Sequence, residues 1–447
     1  MPELLDLAAR LAAEARAGEE VEAYAAWQRE TDVRVFQGEV ESLASAESAG
    51  VGVRVVAGGR QGFAFVGDLD EKLAREALEE ARDNARFATP DEHVGLARPD
   101  GRAPVALELW REGLAAVPTD AKIALAVELE RAVRGLDRRI RQVVSSDYGD
   151  AQVEAAIATS TGIAATTRRT TAYVSADAVA GEGEDTQTGG GYSVGREVAD
   201  LDVAVAARDA VGRATRLLGA TKPPSARLTV VFDRRVTATL LAVLSGTLSG
   251  EEVAKGRSLF AERLGEEVAA ASITLVDDPT NPLAFGASRV DAEGLACRPN
   301  LLIDRGRLAG FLYDTYSARL AGTASTASAV RGGFKSTPGV GARALALSPG
   351  GLDQEAILGL VGDGLFVQSI SGVHSGVNPV SGDFSVGAEG LLIRGGALAE
   401  PVREITIAST IQRMLQHVVA VGSDVEWLPS LAAGVSLAVG GVAMGGA

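Results

Sequence analysis

Residues 371–385 of this chain read SGVHSGVNPVSGDFS, and an apolar stretch at 388–393 follows them. Four serines and three glycines make this segment a loop rich in turn-forming residues. Because glycine carries no Cβ, such a loop can bring backbone amides close to a ligand or to a second backbone. We therefore take the loop as the candidate functional segment. Its candidate residues are Ser371, Gly372, His374, Ser381, Gly382, Asp383 and Phe384.

Length and composition indicate a globular protein with two domains. The chain has 447 residues, which is more than one compact core usually holds. Hydrophobic residues make up 46% of the chain and charged residues 23%, which is unlike a disordered protein. The formal charge of −16 would repel phosphate backbones, so we expect no direct binding to nucleic acid.

Cysteine usage and the N-terminal sequence favour a cytoplasmic protein. The single cysteine, Cys297, excludes an internal disulfide and is compatible with a reducing compartment. We interpret it as a packed, unreactive thiol in a region rich in strand signals. The N-terminus lacks the basic and apolar regions of a signal peptide. No stretch approaches the ~20 apolar residues that cross a bilayer, so we expect no membrane association.

Hydrophobic periodicity predicts helices mixed irregularly with hairpins. Helical spacing indicates helices at 4–11, 71–85, 119–134, 201–218 and 235–244, and strand patterns appear at 152–158, 166–174 and 228–232. Asp68 with Glu71, and Ser409 with Gln412, form capping-box patterns for the second helix and for a late helix reaching Val418. Gly58-Gly59 predicts a hairpin between 51–56 and 61–65.

The region 221–225 reads TKPPS and marks a predicted domain boundary. Two consecutive prolines cannot continue a helix, and they stiffen the connection. We therefore predict domains at 1–220 and 226–447, joined by the linker 221–225. The N-terminal domain is expected to mix antiparallel strands with amphipathic helices, and the C-terminal domain to be mostly β with a few helices. Without strict βαβ alternation, the fold class is predicted to be α+β.

The histidines argue against a metal site in this chain. A zinc hydrolase needs about three protein ligands, and a helical zinc motif places two histidines one turn apart. This chain has only His93, His374 and His417, and none is within helical reach of another. We interpret His93 as a loop residue, His417 as a helix-flank residue and His374 as a turn or interface residue. An acidic pair, Asp277-Asp278, is interpreted as a solvated turn before proline rather than a cation site.

Several segments together resemble a known family. They are the loop at 371–385, the GAEG sequence at 387–390, the strand at 391–393, the EITIA sequence at 404–408 and the DAEG sequence at 291–294. This combination resembles the C-terminal signature of the TldD/PmbA family, and FQGEVE at 36–41 is similar to its first domain. The family includes a two-subunit zinc metallopeptidase once described as a modulator of DNA gyrase.

The resemblance also implies where zinc would be bound. The metal-bearing subunit of the family carries a His-Glu-x-x-x-His motif on the first helix of its second domain and a late cysteine ligand. In this chain Ala242, Val243 and Thr247 fall at or near those helix positions, and no cysteine follows Cys297. Apolar and hydroxyl side chains there cannot ligate zinc or act as a general base. The chain thus resembles the TldE/PmbA-type subunit, and zinc is expected in its partner.

Two functions remain open at this point. By resemblance, the first is a non-catalytic subunit that pairs with a TldD-type metallopeptidase, shapes the substrate chamber and holds unfolded or small peptides by β-augmentation. In that case Asp383 would fix the loop by accepting backbone N–H bonds, and Phe384 would pack beneath it. The second is a self-associating regulatory or binding protein without a peptidase partner. When the partner is absent a homodimer stays open, and no free monomer is expected.

Overall fold

The N-terminal half of the protein is built on a six-stranded antiparallel sheet. The structure, a computed structural model, describes residues 2–446. The strand order is β3-β2-β1-β4-β5-β6. The strands are β1 (Glu19–Phe36), β2 (Glu39–Ala57), β3 (Arg60–Val66), β4 (Ile140–Thr159), β5 (Ala164–Ala180) and β6 (Gln187–Gly195). Alternate residues of each strand point to opposite faces of this sheet, so the two faces have different roles.

Helices cover one of these faces. They are α1 (Pro2–Ala13), α2 (Glu71–Phe87), α3 (Thr119–Leu136) and α4 (Val203–Thr215), with short 3-10 turns at Glu112–Ala116, Gly183–Asp185 and Val198–Asp200. The β1 residues Val21, Ala23 and Ala25 are buried in the core beneath α1 and α2. Their even-numbered neighbours, such as Tyr24 and Ala26, face the other way. The uncovered face is therefore available to the C-terminal half.

The C-terminal half contains a second six-stranded sheet, in the order β16-β15-β14-β7-β20-β17. Its strands are β7 (Ala226–Phe232), β14 (Gly364–Ser371), β15 (Asp383–Arg394), β16 (Ala397–Thr410), β17 (Val418–Val421) and β20 (Leu437–Gly445). Because β16 also pairs with β20, the sheet curls back on itself. Strand β7 pairs in parallel with β14.

Smaller elements complete this half. A four-stranded sheet and two strand pairs comprise β8 (Leu275–Asp277), β9 (Asn300–Asp304), β10 (Arg307–Leu308), β11 (Ala329–Val330), β12 (Gly339–Val340), β13 (Leu345–Leu347), β18 (Glu426–Trp427) and β19 (Ala433–Gly434). The helices are α5 (Arg234–Thr247), α6 (Gly250–Ala254), α7 (Thr315–Leu320), α8 (Gln354–Val361), α9 (Val373–Gly376) and α10 (Ile411–Gln416). The α+β prediction is confirmed. The boundary at 221–225 stays a prediction.

The predicted hairpin and most predicted helices are present. The N-cap residue was predicted wrongly for two helices. The hairpin turns at Gly58-Gly59, with Ala57 opposite Arg60. The N-cap of α2 is Asp70 rather than Asp68, and its carboxylate accepts the N–H groups of Lys72 and Leu73 at 2.9 and 3.0 Å. Asp68 instead accepts the N–H of Asp70. The glutamate three positions after Asp68 was therefore a misleading signal.

The late helix is shorter than predicted. Ser409 is still in β16, where it pairs with Phe384, so the N-cap falls on Thr410. The Thr410 hydroxyl accepts the N–H of Arg413 at 3.2 Å. The helix ends at Gln416, and Val418 begins β17 instead of continuing the helical face. Among residues 2–446, no helix is both long enough and apolar enough to cross a membrane.

Candidate functional site

The loop at 371–385 is a well-defined turn between β14 and β15. The side-chain oxygen of Asn378 accepts the N–H groups of Val380 and Ser381 at 2.9 and 3.1 Å. The backbone N–H of Asn378 also donates to the Asp383 carbonyl at 2.9 Å. A Cβ at Gly376 would overlap with the backbone carbonyl of Ser385. Close backbone approach therefore requires glycine at this position.

The loop is held against the start of α10. The N–H of Ile411 donates to the Gly382 carbonyl at 2.8 Å, and the Gln412 side-chain amide donates to the Ser381 carbonyl at 3.0 Å. Gly382 has a φ of 81° and packs against the Gln412 side chain. Loop conformation and helix position are therefore coupled through these two hydrogen bonds.

The prediction that the Asp383 side chain accepts backbone N–H groups of the loop was wrong. Its side chain is exposed and accepts a hydrogen bond from the Ser381 hydroxyl at 2.7 Å. The backbone N–H groups of the turn are accepted by Asn378 instead, because an Asx side chain at that position reaches two and three residues ahead. Phe384 is 2% exposed and belongs to the C-terminal core, in line with a packing role.

The remaining loop candidates lie on the surface. Ser371, Gly372, His374 and Ser381 are all exposed, and none of the seven candidates lines the cleft described below. His417, at the end of α10, has its Nδ1 atom 2.8 Å from the Arg413 carbonyl oxygen. The half-buried His93 is 3.9 Å from Glu92. Within the described residues 2–446, no three His, Cys, Asp or Glu side chains are grouped as metal ligands.

Helix α5 carries no side chain that fits zinc at the three positions of interest. Ala242 and Val243 are half-buried and apolar. Thr247 is buried, and its hydroxyl donates to the Leu244 carbonyl of its own helix at 2.6 Å. A zinc ion needs thiolate, imidazole or carboxylate ligands, so these residues cannot hold one.

A cleft of about 460 Å³ lies between the uncovered face of the first sheet and segments of the C-terminal half. Its floor is formed by neighbouring residues of β1, β4 and β5, including Ala26, Ala155 and Thr167, which are in register across the three strands. Its volume is within the range of small-molecule and short-peptide sites. The cleft is thus a site that requires both halves of the chain.

Aromatic and cationic side chains form the walls of the cleft. Tyr24, Trp110 and Phe334 supply the aromatic surface. The guanidinium of Arg331 stacks 4.5 Å from the Tyr24 ring centre, and that of Arg168 is 5.4 Å from the Trp110 ring centre. The lining cations are Arg168, Arg169, Arg289, Arg331, Lys335 and Arg343, and the lining anions are Glu108 and Asp291. The cleft is therefore cationic, although the chain as a whole carries a charge of −16.

A buried charge network joins the two halves beside the cleft. Glu22 on β1 is 2.6 Å from Arg54 on β2, and it also pairs with Arg331 of the C-terminal half. Glu293 is 3.7 Å from the same Arg54 and accepts the N–H and hydroxyl of Thr315 at 2.9 and 2.6 Å. Burial opposes the charge of Glu22, but the adjacent arginines lower its pKa overall.

The DAEG segment noted in the sequence lies at this junction. Asp291 is buried, and its carboxylate accepts the N–H groups of Glu293, Leu295 and Ala329 at 2.9, 2.9 and 3.2 Å. Burial raises the pKa of Asp291, and burial likewise raises the pKa of Glu293. The segment therefore has an architectural role in fixing the cleft wall. Cys297, close by in sequence, is also buried, and burial raises the pKa of its thiol to about 12.

Sequence reasoning missed the residues that define this cleft. Arg169, Arg331 and Arg343 occur in strands and loops with no motif around them. In the sequence, the DAEG segment stands out only through its resemblance to the family, although two acidic residues in an otherwise apolar stretch signal a buried charge partner. That partner, Arg54, is more than 200 positions away in the chain. Only the fold brings these residues together.

The fold is an α+β arrangement with two six-stranded sheets and a cleft between the two halves of the chain. Family models match three consecutive parts of the chain: PmbA/TldA metallopeptidase domain 1 at 21–85, the central domain at 112–218 and the C-terminal domain at 225–446. The chain belongs to the PmbA/TldD metallopeptidase family.

Curated relatives agree with this family. Metalloprotease PmbA of Escherichia coli O157:H7 is 28% identical over 390 residues, covering 87% of this chain and 84% of the relative. A metalloprotease of Methanothermobacter thermautotrophicus is 27% identical over 404 residues, covering 89% of this chain and 86% of that relative. The chain is also 26% identical to a metalloprotease TldD homolog of Haemophilus influenzae, covering 84% of this chain and 80% of the homolog.

Solved structures share the whole fold. TldE from Thermococcus kodakarensis has a TM-score of 0.89 at 25% identity, with 96% of this chain and 97% of that chain covered. A putative modulator of DNA gyrase from Bacteroides thetaiotaomicron has a TM-score of 0.88 at 27% identity, with 100% and 99% covered. This chain therefore has the full-length architecture of both proteins.

Proposed function

We propose that this chain is the subunit without metal in a two-chain zinc metallopeptidase that acts on unfolded or small peptides. A TldD-type partner supplies the zinc and the general base, and this chain shapes the chamber that holds the peptide. The complex is cytoplasmic in this proposal. The family membership, and the similarity to a protein named TldE over almost the whole chain, support it.

The observation that carries the proposal is the chemistry of α5. Ala242, Val243 and Thr247 occupy the helix positions at which the resemblance places the metal-binding motif of the other subunit type. The Thr247 hydroxyl is already bonded within its own helix, and the other two side chains have no donor or acceptor atoms. Because none of them can bind zinc or move a proton, chemistry at this helix requires another chain.

This chain contributes the walls of the peptide chamber and backbone groups that can contact the peptide. The cleft between its halves offers a sheet face, aromatic walls and arginines that can orient a peptide. The loop at 371–385 remains our second candidate for contact with substrate, because it is exposed and rigidly anchored to α10. A rigid loop can present backbone groups to a neighbouring chain at low entropic cost.

Reconstitution with the metal-bearing chain tests the proposal. Each chain alone should leave an unstructured peptide uncut, and the mixture should cleave it, with both chains eluting together in size-exclusion chromatography. His374→Ala should leave turnover essentially unchanged, because His374 is given no proton-transfer role. Loss of turnover in that variant, with assembly and zinc content intact, would show that this chain contributes chemistry and would refute the proposal.

Two loop variants separate positioning from chemistry in the same assay. Asn378→Ala should lower the activity of the complex by loosening the loop, since Asn378 accepts two backbone N–H groups. Asp383→Ala should have a smaller effect, because its carboxylate accepts only the Ser381 hydroxyl among the described residues. Zinc content should be the same in both, since the ligands are expected on the partner. A larger effect for Asp383→Ala would contradict this assignment.

A self-associating regulatory protein is the second candidate. The first half of β2, residues 39–48, is exposed on both faces and pairs only with β1 in the described structure. Such an open strand edge favours pairing with another chain. The two proposals differ in one observation: whether a chain with a His-Glu-x-x-x-His motif co-purifies with this one from its native source.

A further inference from the structure

Arg169 has an unusual position in the cleft. It lies on β5 opposite Val153 of β4 and lines the cleft floor. Its side chain is exposed to solvent within the cleft, although the protein around it desolvates the guanidinium enough to lower its pKa. Among the residues that the structure describes, none forms a hydrogen bond or an ion pair with its guanidinium. An accessible guanidinium without a protein partner is free to form charge-assisted hydrogen bonds with an anionic ligand.

A second arginine, Arg343, adds positive charge beside Arg169. Burial lowers the pKa of Arg169, and the positive charge of Arg343 lowers it further. Arg343 donates to the Ala329 carbonyl at 3.0 Å, and within residues 2–446 no carboxylate oxygen lies within the 4.0 Å of an ion pair to it. The buried carboxyls Asp291 and Asp277 interact electrostatically with Arg343, but burial raises the pKa of both. Two neighbouring guanidiniums thus share the cleft without a full counter-charge.

The cleft wall is also rich in hydrogen-bond donors. The Nε atoms of Arg331 and Arg343 and the Nε1 atom of Trp110 are buried without an acceptor among the described residues. Arginine and indole nitrogens can only donate. These buried nitrogens are closed to a ligand, so the donor group that acceptor oxygens can reach is the exposed guanidinium of Arg169.

The backbone next to Arg169 points to a peptide. Strand β6 pairs with β5 only from Ala172 onward, so residues 164–169 have no strand partner on the side away from β4 in the described structure. The edge is closed just beyond, where the N–H of Thr170 donates to the Leu109 carbonyl at 2.9 Å. An extended peptide can add to a free strand edge of this length through main-chain hydrogen bonds.

We propose that this cleft binds an extended peptide through the open edge of β5, with the guanidinium of Arg169 receiving a peptide carboxylate. The inference rests on the proposed function and names the substrate class: peptides that carry a carboxylate, either at their free C-terminus or on an acidic side chain. Arg169 is then a specificity residue of this chain. Arg343 reinforces the positive charge, and Tyr24, Trp110 and Phe334 form the apolar surroundings of the peptide.

Calorimetric titration of the full-length chain with three peptides tests the inference. The peptides are a short acetylated alanine peptide with a free C-terminal carboxylate, its C-terminal amide, and the same amide with one glutamate inside. At least one of the two carboxylate peptides should bind about tenfold or more tightly than the neutral amide, since a charge-assisted hydrogen bond is lost with the carboxylate. The two carboxylate peptides distinguish a C-terminal from a side-chain source.

Three substitutions assign the effect to one residue. Arg169→Ala should abolish the preference for carboxylate peptides, and Arg169→Lys should retain part of it, because lysine keeps the charge but not the bidentate geometry. Arg208→Ala is the matched control, since Arg208 is an exposed arginine of α4 that does not line the cleft. It should bind all three peptides as the unchanged chain does. Thermal melting of each variant verifies that it is folded.

Specific outcomes would overturn the inference. Equal affinity for the amide and the acid, an unchanged preference in Arg169→Ala, or binding of a nucleoside phosphate in place of every peptide would each refute it. Because binding is measured on this chain alone, the result is independent of assembly. Carboxylate-selective binding, combined with failure of the two chains to form an active complex, would refute the proposed function only. An active complex without carboxylate selectivity would refute this inference only.

Discussion

Glu22 joins the two halves of the chain through a buried ion network. Its carboxylate is 1% exposed and is shared by Arg54 and Arg331, one from each half of the chain. Removing one partner of a buried ion pair leaves an uncompensated charge, whereas an exposed pair adds little stability. A neutral amide in place of this carboxylate would leave both arginines without their anion.

We therefore expect Glu22→Gln to lower the free energy of unfolding by roughly 3 kcal/mol. The control is Glu76→Gln, which removes the exposed pair between Lys72 and Glu76 on α2 and should change stability by less than about 0.5 kcal/mol. Denaturant unfolding followed by circular dichroism measures both. Equal effects of the two substitutions would contradict the importance assigned to the buried network.

The carboxyls of Asp291 and Glu293 predict a pH dependence of stability. Burial raises the pKa of both groups in the folded chain. Between the ordinary carboxyl pKa of about 4.3 and the raised value, the folded state binds more protons than the unfolded state. The free energy of unfolding should therefore fall as pH rises through that interval. The pKa of Glu22 is lowered in the folded chain, so the stability that its carboxylate contributes is lost only at more acidic pH, as pH falls through that lowered value.

Glu293→Gln should make this decline shallower, because one of the two titrating groups is gone. Denaturant midpoints measured from about pH 5 to about pH 8 give the slope. The exposed Glu128 on α3 provides a control, and Glu128→Gln should keep the original slope. A slope that is unchanged in Glu293→Gln, or a stability that increases with pH over this range, would contradict the account.

Gly376 should tolerate no side chain. A Cβ there would meet the backbone carbonyl of Ser385, which cannot move without disturbing the start of β15. We expect Gly376→Ala to lower the free energy of unfolding by about 1–3 kcal/mol, within the range for overpacking. Gly351→Ala is a suitable control, since a Cβ at Gly351 would meet no atom within 4 Å. If both variants were equally stable in denaturant unfolding, the close approach would be unimportant.

At the scale of elements, local patterns predicted much of the secondary structure. The hairpin at Gly58-Gly59 and the helices α2, α3 and α5 were expected from alternation, helical periodicity and capping residues, which act over a few positions. The errors came from competition between neighbouring residues of similar chemistry. Asp70 caps α2 although Asp68 had the better-spaced glutamate, and β16 continues through Ser409 because that residue pairs with Phe384.

The cleft could not be predicted in the same way. Its floor depends on the register of β1, β4 and β5, which is set by strands far apart in the chain. Arg169 is one of two adjacent arginines in a strand, and the sequence contains no sign that it lacks a partner. By contrast, the glycines of the loop at 371–385 were recognisable, because their effect on the backbone is local.

The open edge of β2 leads to a prediction about association. Val40 and Leu43 are 42% and 45% exposed on a stretch that is uncovered on both faces. We expect the unchanged chain to associate through this edge, and the double substitution Val40→Glu and Leu43→Glu to shift it toward the monomer by charge repulsion. Light scattering at micromolar concentration measures the mass of each.

A substitution on another exposed leucine tests whether the effect is local. Leu360 on α8 is 57% exposed, and Leu360→Glu adds the same type of charge away from β2. It should leave the measured mass unchanged. If the unchanged chain were itself a monomer at micromolar concentration, the role assigned to the β2 edge would be wrong.

At the scale of the whole molecule, charge is unevenly distributed. A chain with a formal charge of −16 concentrates six cationic side chains around one cleft and buries an ion network beside it. The same molecule has no zinc-compatible side chain at the three α5 positions. These features support the proposal that this chain positions a ligand. In the proposed complex, the bond-breaking groups belong to the partner.

The zinc content of the purified chain tests most directly whether zinc is bound by the partner rather than by this chain. After dialysis against a chelator and then against trace zinc, elemental analysis of the chain alone should find far less than one zinc per molecule, because Ala242, Val243 and Thr247 offer no ligands. The metal-bearing partner, treated identically, should retain about one. About one tightly held zinc per molecule of this chain would contradict its assignment as the subunit without metal.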